Sequence, residues 1–347
     1  MEKSRSKIFV EKFGNSEAWD TELEEFGGSV FMTSKWLNII STQERGPIYL
    51  RFIFNGEVIA LLGGIELLYS RYNLKQLFFY SGIATKTKDP ELIRKCKLSL
   101  YEYAKINKYF RIRMRSYDHT SDVQTTLKQF KEIRRIEFIT FLDKDKDEIF
   151  KNFDSDVKRR AGIAKKKGVI LNNSKSISFT EKMFTLLEET KKIRRSKGYE
   201  EYDYSYLPFF KGEEINRLVS AGHASFYYAE LGDEILSIQF VFECQGKAYE
   251  IFEGTTLNGY KMNAPAFMMY EVTGVLKDKG YKYYNHGGVP HGLSHEGLKK
   301  FKAKIGAVTV DSSEGLTNFI TFPLNLLNPL FKYEKALRKM KLFPRRL

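Results

Sequence analysis

Between Tyr281 and Ala307 the chain reads YKYYNHGGVPHGLSHEGLKKFKAKIGA. Two adjacent glycines, Gly287 and Gly288, allow a backbone to come close to a ligand, because no Cβ stands in the way. The basic, helix-like run that follows sets Lys302 and Lys304 beside that opening. His286 supplies an imidazole, which titrates near neutral pH and can accept a proton. Glu253, just ahead of Gly254, is a second candidate acceptor. His286, His291 and His295 also fall within ten residues of one another. No cysteine or carboxylate stands at a recognised metal-ligand spacing beside them, and Pro290 and Gly292 interrupt a helix, so no metal is expected.

Two further runs concentrate cations. Lys158–Val169, KRRAGIAKKKGV, has helical character, which puts Arg159 or Arg160 on one face with Lys166 or Lys167 two turns later. Guanidinium forks and ammonium point charges on one face suit phosphate chains. The plainer reading is a solvated face with Ile163 and Ala164 packed inward. Thr190–Tyr199, TKKIRRSKGY, places Arg194 and Arg195 in a last helical turn before Gly198. Cations complement the helix dipole there, and they can equally bind an anion.

The elements that position these residues come twice. Ile48–Phe54 and Val58–Leu68 read as strands around Asn55-Gly56, a hairpin signal. Leu77–Ser81 follows as a third strand, then Gly82 and a polar loop. Pro90–Asn107 has helical spacing, and Tyr109–Arg115 alternates as a strand. About 175 residues later the series repeats. Ser225–Leu231 and Glu234–Phe242 flank Gly232-Asp233, Ala248–Glu253 is the third strand, Gly254 opens a polar loop, Pro265–Lys279 is a helix and Tyr281–Asn285 a strand. Proline suits a helix start, since its missing N–H would be unpaired there. Between the copies, Asp154–Gly168 and Phe179–Gly198 read as helices with a short strand at Val169–Leu171. The expected boundary lies in the charged stretch Asp143–Asp147.

Four stretches resemble the Fem-type peptidoglycan-bridge aminoacyltransferases, which move amino acids from charged tRNA onto cell-wall precursors. Phe31-Met32-Thr33-Ser34-Lys35-Trp36 is similar to the family's F-x-Q-S-x-x-W, with Ile40 where the family has a substrate-binding lysine and Lys35 nearby as a substitute. Lys158–Val169 resembles R-x-x-I-x-K-A-x-x-x-G-V. Thr190–Tyr199 resembles T-x-x-R-x-G, which carries the anion-binding role onto Arg195, with Arg194 as second choice. Tyr284–Gly288 and Phe301–Gly306 resemble Y-D-x-G-G and F-K-x-x-F-G, with Asn285 for the acid and Ile305 for the second aromatic. The resemblance implies an α/β (α+β) fold of two tandem GNAT-like N-acyltransferase domains, each a mixed twisted sheet flanked by helices. Residues 1–146 with 317–347 would form the first and 147–316 the second. It makes Lys302 the catalytic lysine and Phe301 its neighbour, with His286 as a candidate base. Lys35, Trp36, Arg159, Arg160, Arg195, Asn285, Gly287, Gly288 and Lys304 would bind substrate. A fixed cation near a carbonyl under attack stabilises the oxyanion that forms. Thr255–Pro265, TTLNGYKMNAP, lacks the Q/R-x-x-G-x-G/A pattern by which GNAT domains hold the pyrophosphate of CoA.

The whole sequence sets the partners. With 42% hydrophobic residues, the 347-residue chain can bury a substantial core. Its 28 Phe and 21 Tyr favour sheet-rich packing. The formal charge of +14 favours anionic partners. Cys96 and Cys244 make no disulfide framework, and the N-terminus has no apolar targeting core, so a cytoplasmic location is expected. The tail from Leu316 mixes apolar residues with Arg338, Lys339, Lys341, Arg345 and Arg346, a mixture suited to an anionic membrane face. Three readings follow. The first is transfer of an amino acid from aminoacyl-tRNA, with no resident cofactor, to a phosphorylated or lipid-linked envelope precursor. The second is acyl-CoA-dependent N-acylation of a surface polysaccharide or lipid-linked sugar. The third is a non-catalytic RNA- or membrane-binding module.

Overall fold

The computed structural model describes residues 7–118, 125, 127–198, 207–290 and 296–331. His291, His295, Tyr199, Tyr202 and the basic tail residues beyond 331 lie outside them. The chain forms two compact units, Met1–Arg134 with Ser312–Leu347, and Arg135–Asp311. The sequence-based expectation set these divisions at 146/147 and 316/317.

Unit 1 begins with β1 (Phe9–Phe13), α1 (Ser16–Glu25) and α2 (Ser34–Ile40). A long hairpin follows, β2 (Arg45–Phe54) and β3 (Glu57–Tyr69), turning at Asn55-Gly56 with both residues at positive φ. That geometry matches the twist of the flanking strands. After β4 (Leu74–Phe79) the chain crosses through α3 (Pro90–Ile106) to β5 (Tyr109–Met114), which lies parallel to β4. Pro90 occupies the first turn of α3, and the Asp89 side chain accepts from the Glu91 N–H at 2.9 Å. Ile93, Cys96, Leu100 and Ala104 give this helix its buried stripe.

Unit 2 repeats the arrangement. It takes in β6 (Phe130–Phe141) from Arg135 onward, α4 (Lys146–Lys151), α5 (Ser155–Lys166), β7 (Ile170–Ser174), α6 (Ser178–Ser196) and α7 (Gly212–Ser220). The hairpin β8 (Ala224–Leu231) and β9 (Glu234–Cys244) leads to β10 (Lys247–Thr255). A crossover through α8 (Leu257–Lys261) and α9 (Ala264–Asp278) brings in β11 (Tyr283–Pro290), parallel to β10, and α10 (Glu296–Lys304) follows. The chain then returns to unit 1 with β12 (Val308–Thr317), antiparallel to β5, and α11 (Asn328–Phe331). Strand order is β1-β2-β3-β4-β5-β12 in unit 1 and β6-β11-β10-β9-β8-β7 in unit 2.

The core of unit 2 places Phe267, Met268, Val272 and Leu276 of α9 among Tyr227, Val241, Ala248 and Tyr284 of the sheet. Gly254 lies inside β10 and opens no loop. A Cβ there would stand 2.8 Å from the Leu187 nitrogen and 2.9 Å from the Leu186 carbonyl carbon. The absent side chain therefore lets α6 lie directly on β10.

Candidate active site

Strands β10 and β11 pair only where Lys247, Ala248 and Tyr249 meet Tyr283, Tyr284 and Asn285. Just beyond, both strands slip register against their outer neighbours, β10 between Glu250 and Phe252 and β11 between Asn285 and Gly288. Each slip is a β-bulge, which re-aims the side chains that follow. Residues three apart on a regular strand face opposite sides; with Ile251 as the extra residue, Glu250 and Glu253 both act on Lys302. The corresponding pair in unit 1 stays closed. There β4 and β5 pair from Lys75/Tyr109 to Phe79/Met114, and Tyr117 N–H continues the ladder to the Tyr80 carbonyl at 2.9 Å. The opened pair belongs to unit 2.

Lys302 fills this opening from α10. The helix is held by Ile305, which is fully buried, by Phe301 against the core, and by the Asp154 N–H donating to the Lys304 carbonyl at 2.8 Å. The Lys302 ammonium donates to the His286 carbonyl and, at 3.4 Å, to that of Gly287. Only 7% of the residue is exposed. Burial drives its pKa below that of an ordinary lysine, while Glu250, Glu253 and Glu137 favour the charged form. The two glycines serve different ends: Gly287 supplies a left-handed turn beside the ammonium, and Gly288 lets β6 come close. Gly287 has φ +76, and a Cβ on it would lie 3.6 Å from the ammonium; a Cβ on Gly288 would meet the Ile136 carbonyl at 3.0 Å. The close approach expected for a ligand is thus made by Lys302 and β6.

The carboxyl of Glu253 is raised well above the usual carboxylate range, first by its withdrawal from water and then by Glu250 beside it. Its Oε1 has no hydrogen-bond partner among the described residues, while the residue keeps a partly exposed surface. His286 is sealed beneath the bulge. Its Nε2 meets the Thr140 hydroxyl at 2.8 Å, and its Nδ1 lies 3.5 Å from Glu250. Burial lowers its pKa, while Glu250 favours the charged ring. His286 is buried against Glu250 and does not reach the opening itself. Asn285 is buried as well. Its Oδ1 accepts from the Gly287 N–H at 2.7 Å, and its Nδ2 donates to Glu137 at 3.3 Å and to the Tyr283 hydroxyl at 3.2 Å. An amide serves all three contacts, whereas a carboxylate would oppose Glu137.

Thr190 joins α6 to the end of β10. Its hydroxyl accepts from the Thr255 N–H at 2.7 Å and donates to the Thr255 carbonyl at 3.0 Å. Arg194 is thereby half-buried beside Tyr260, whose hydroxyl is pushed up to about 12 by burial and by Glu253, with Arg194 opposing. Arg195 points to solvent, so the second choice of the motif faces this end of the opening. Arg159, Arg160 and Lys304 converge elsewhere, on the single carboxylate of Asp156, at 2.6, 2.9 and 3.7 Å. In unit 1, Lys35 is exposed. Trp36 is fully buried, edge-on to Phe31 and Tyr80. Sequence reasoning missed Glu250, Glu137 and Tyr260. The E-x-x-E spacing of Glu250 and Glu253 is visible, yet only the bulge makes them neighbours.

Two units of this architecture, each a hairpin-led mixed sheet with a parallel crossover, define a tandem GNAT-like fold of the Fem type. Among solved structures, FemX superposes with a TM-score of 0.66 at 15% identity, over 93% of this chain and 99% of its own. L-PGS from Bacillus licheniformis gives 0.52 at 15% identity, over 91% and 96%. A conserved protein of unknown function from Bacteroides thetaiotaomicron gives 0.54 at 11%, over 89% and 99%. No protein-family model and no curated protein matches the sequence. Identities this low establish the fold and leave the chemistry to the residues.

Proposed function

We propose that unit 2 is the catalytic centre of an acyltransferase that forms an amide on a cell-envelope precursor, with aminoacyl-tRNA as donor. The observation that carries this reading is the Lys302 ammonium, fixed in a strand opening beside the high-pKa carboxyl of Glu253. The acceptor amine attacks the acyl carbonyl, forming the C–N bond while the carbonyl electron pair moves onto oxygen. Lys302 stabilises that oxyanion without changing its own protonation. Glu253 takes the proton lost by the nitrogen. Collapse breaks the C–O bond to the ribose, whose oxygen leaves with the proton from Glu253. Glu250 adds a carboxylate that favours the charged form of Lys302.

Arg194 or Arg195, the Arg159–Arg160–Lys304 group and Lys35 supply cations for phosphates of donor and acceptor. The fold of FemX and of L-PGS supports a transferase of this class. The alternative donor, acyl-CoA, meets an obstacle at the start of α9. Ala264 there is fully buried, and Ala266 and Phe267 nearly so, and the segment lacks the glycine pattern that cradles a pyrophosphate. We further propose that unit 1 rests on an anionic membrane face. Phe322, 77% exposed, and Leu326, 65% exposed, precede the basic tail. Among the described residues no helix is long and apolar enough to cross a membrane.

Incubating the protein with labelled aminoacyl-tRNA or acyl-CoA, and reading both thermal protection and label transfer to an amine acceptor, tests the reading. Protection and transfer with aminoacyl-tRNA alone are expected. Protection by the thioester alone would replace the donor. Salt-sensitive RNA binding without transfer would favour a binding module.

A further inference from the structure

We propose that Gln239 is a positioning residue for Glu253, its buried side-chain amide holding the carboxyl in place beside Lys302. Its consequence for catalysis rests on the proposed acyl transfer; its geometry does not. Tyr227 on β8, Gln239 on β9 and Glu253 on β10 are direct register partners, one row across the sheet. Partners opposite each other on antiparallel strands share a face, with Cβ atoms about 5 Å apart. Helix α9 covers this face, since Met269 and Tyr227 belong to one buried core. Tyr227 and Gln239 are fully buried. A polar row through an apolar core costs stability unless its members are hydrogen-bonded.

The Gln239 amide fits only one way round. Its Oε1 accepts from the Tyr284 hydroxyl at 3.4 Å, and its Nε2 donates to the Met269 sulfur at 3.6 Å. A thioether only accepts, so a reversed amide would set its carbonyl oxygen against sulfur. An amide nitrogen carries two protons, and Gln239 also makes a side-chain hydrogen bond to the Glu253 carboxyl. Burial and Glu250 press Glu253 toward the neutral acid, with Lys302 and the Gln239 amide opposing them. Tyr260 on α8 and Tyr284 on β11 interact with it as well. Gln239 thus favours the carboxylate without adding a charge to the cluster. On the far side of the row, Tyr227 donates to Glu243 at 3.0 Å and accepts from Lys279 at 2.7 Å. The neutral amide therefore stands between two acidic groups.

Carbon-13 titration of the Glu253 carboxyl in the full chain, assigned by its loss in Glu253→Gln, tests this without any turnover. Gln239→Met keeps the length of the side chain and removes the donor to the carboxyl. The Glu253 titration should then move up by about one to two pH units, as loss of one hydrogen bond to a charged group requires. Gln239→Leu repeats the test if the methionine variant does not fold. Val241→Ala opens the same core from the same strand, and should lower the melting temperature while leaving the titration in place. The acid limb of the pH–rate profile should rise together with the titration. A titration that moves in a protein transferring no acyl group would remove the acyl-transfer reading and keep the hold of Gln239 on Glu253. A titration unchanged in both Gln239 variants, or moved as far by Val241→Ala, overturns the proposal.

Discussion

Replacing Asn285 by aspartate would put a second carboxylate 3.3 Å from Glu137 in the interior of unit 2. Two full charges at that distance repel by about 5 kcal/mol at an effective dielectric near 20. The pair escapes part of this by keeping one proton. Holding an aspartic acid neutral at pH 7 costs about 4 kcal/mol, since its unperturbed pKa is near 3.9 and each unit is worth about 1.4 kcal/mol. That sets the ceiling, and Lys302 and Arg135 in the same cluster bring the expected loss to about 2–4 kcal/mol at pH 7. The folded-state pKa of the new acid is raised, so the penalty grows as pH rises above its unfolded value and fades as pH falls toward it. Urea unfolding of Asn285→Asp and parent at pH 7 and pH 5 reads the effect as a shift in midpoint at constant slope. The gap should shrink by more than half at pH 5, and adding Glu137→Gln should restore most of it at pH 7. Superimposable curves at pH 7, or a gap equal at both pH values, would refute the reasoning.

Lys302→Met should lower turnover about 10²- to 10³-fold with little change in donor KM, as for loss of one oxyanion-stabilising group; unchanged kcat would remove Lys302 from the mechanism. Glu253→Gln should slow transfer about 10²- to 10⁴-fold and abolish the acid limb of the pH–rate profile, which in the parent lies above the usual carboxylate range. The same variant should be more stable than the parent at neutral pH. The neutral form of Glu253 is the one the fold prefers, so its contribution is complete below the unfolded pKa and is lost as pH rises through the folded one; a less stable variant at pH 7 would contradict this. Gly254→Ala should destabilise unit 2 by about 1–3 kcal/mol in thermal or urea melts, because its Cβ meets backbone of α6 that cannot swing aside. Arg194→Ala should raise donor KM more than Arg195→Ala does, and the reverse order would return the anion-binding role to the exposed arginine.

Much of this architecture is written locally in the sequence. Asn55-Gly56 and Gly232-Asp233 fix two hairpins, and Pro90 and Pro265 sit in the first turns of their helices. Strand β6 escaped notice because Lys131, Glu132, Arg134 and Arg135 break any apolar alternation, and its pairing with β11 is a long-range choice. Helix α7 was missed for a related reason, since its short length holds only Ile215, Leu218 and Val219 as an apolar stripe. At the site, the motif pointed to Lys302, and residue type alone offered Glu253 and His286 as acceptors. It could not order them. Which acid joins the lysine depends on two bulges that shift side-chain phase by one residue, and nothing in the local composition announces a bulge. Gly254 reads equally well as a loop start or as a bare spot under a helix, and only the position of α6 decides.

Every acid and carbonyl gathered around Lys302 comes from the sheet, on β6, β10 and β11, whereas the ammonium is brought by one nine-residue helix. The strands can therefore form with the cluster still short of its cation, leaving excess negative charge that favours the docking of α10. The proposed site would then be completed in a last assembly step. Anything that lifts this single helix away would remove the cation while leaving the sheet intact.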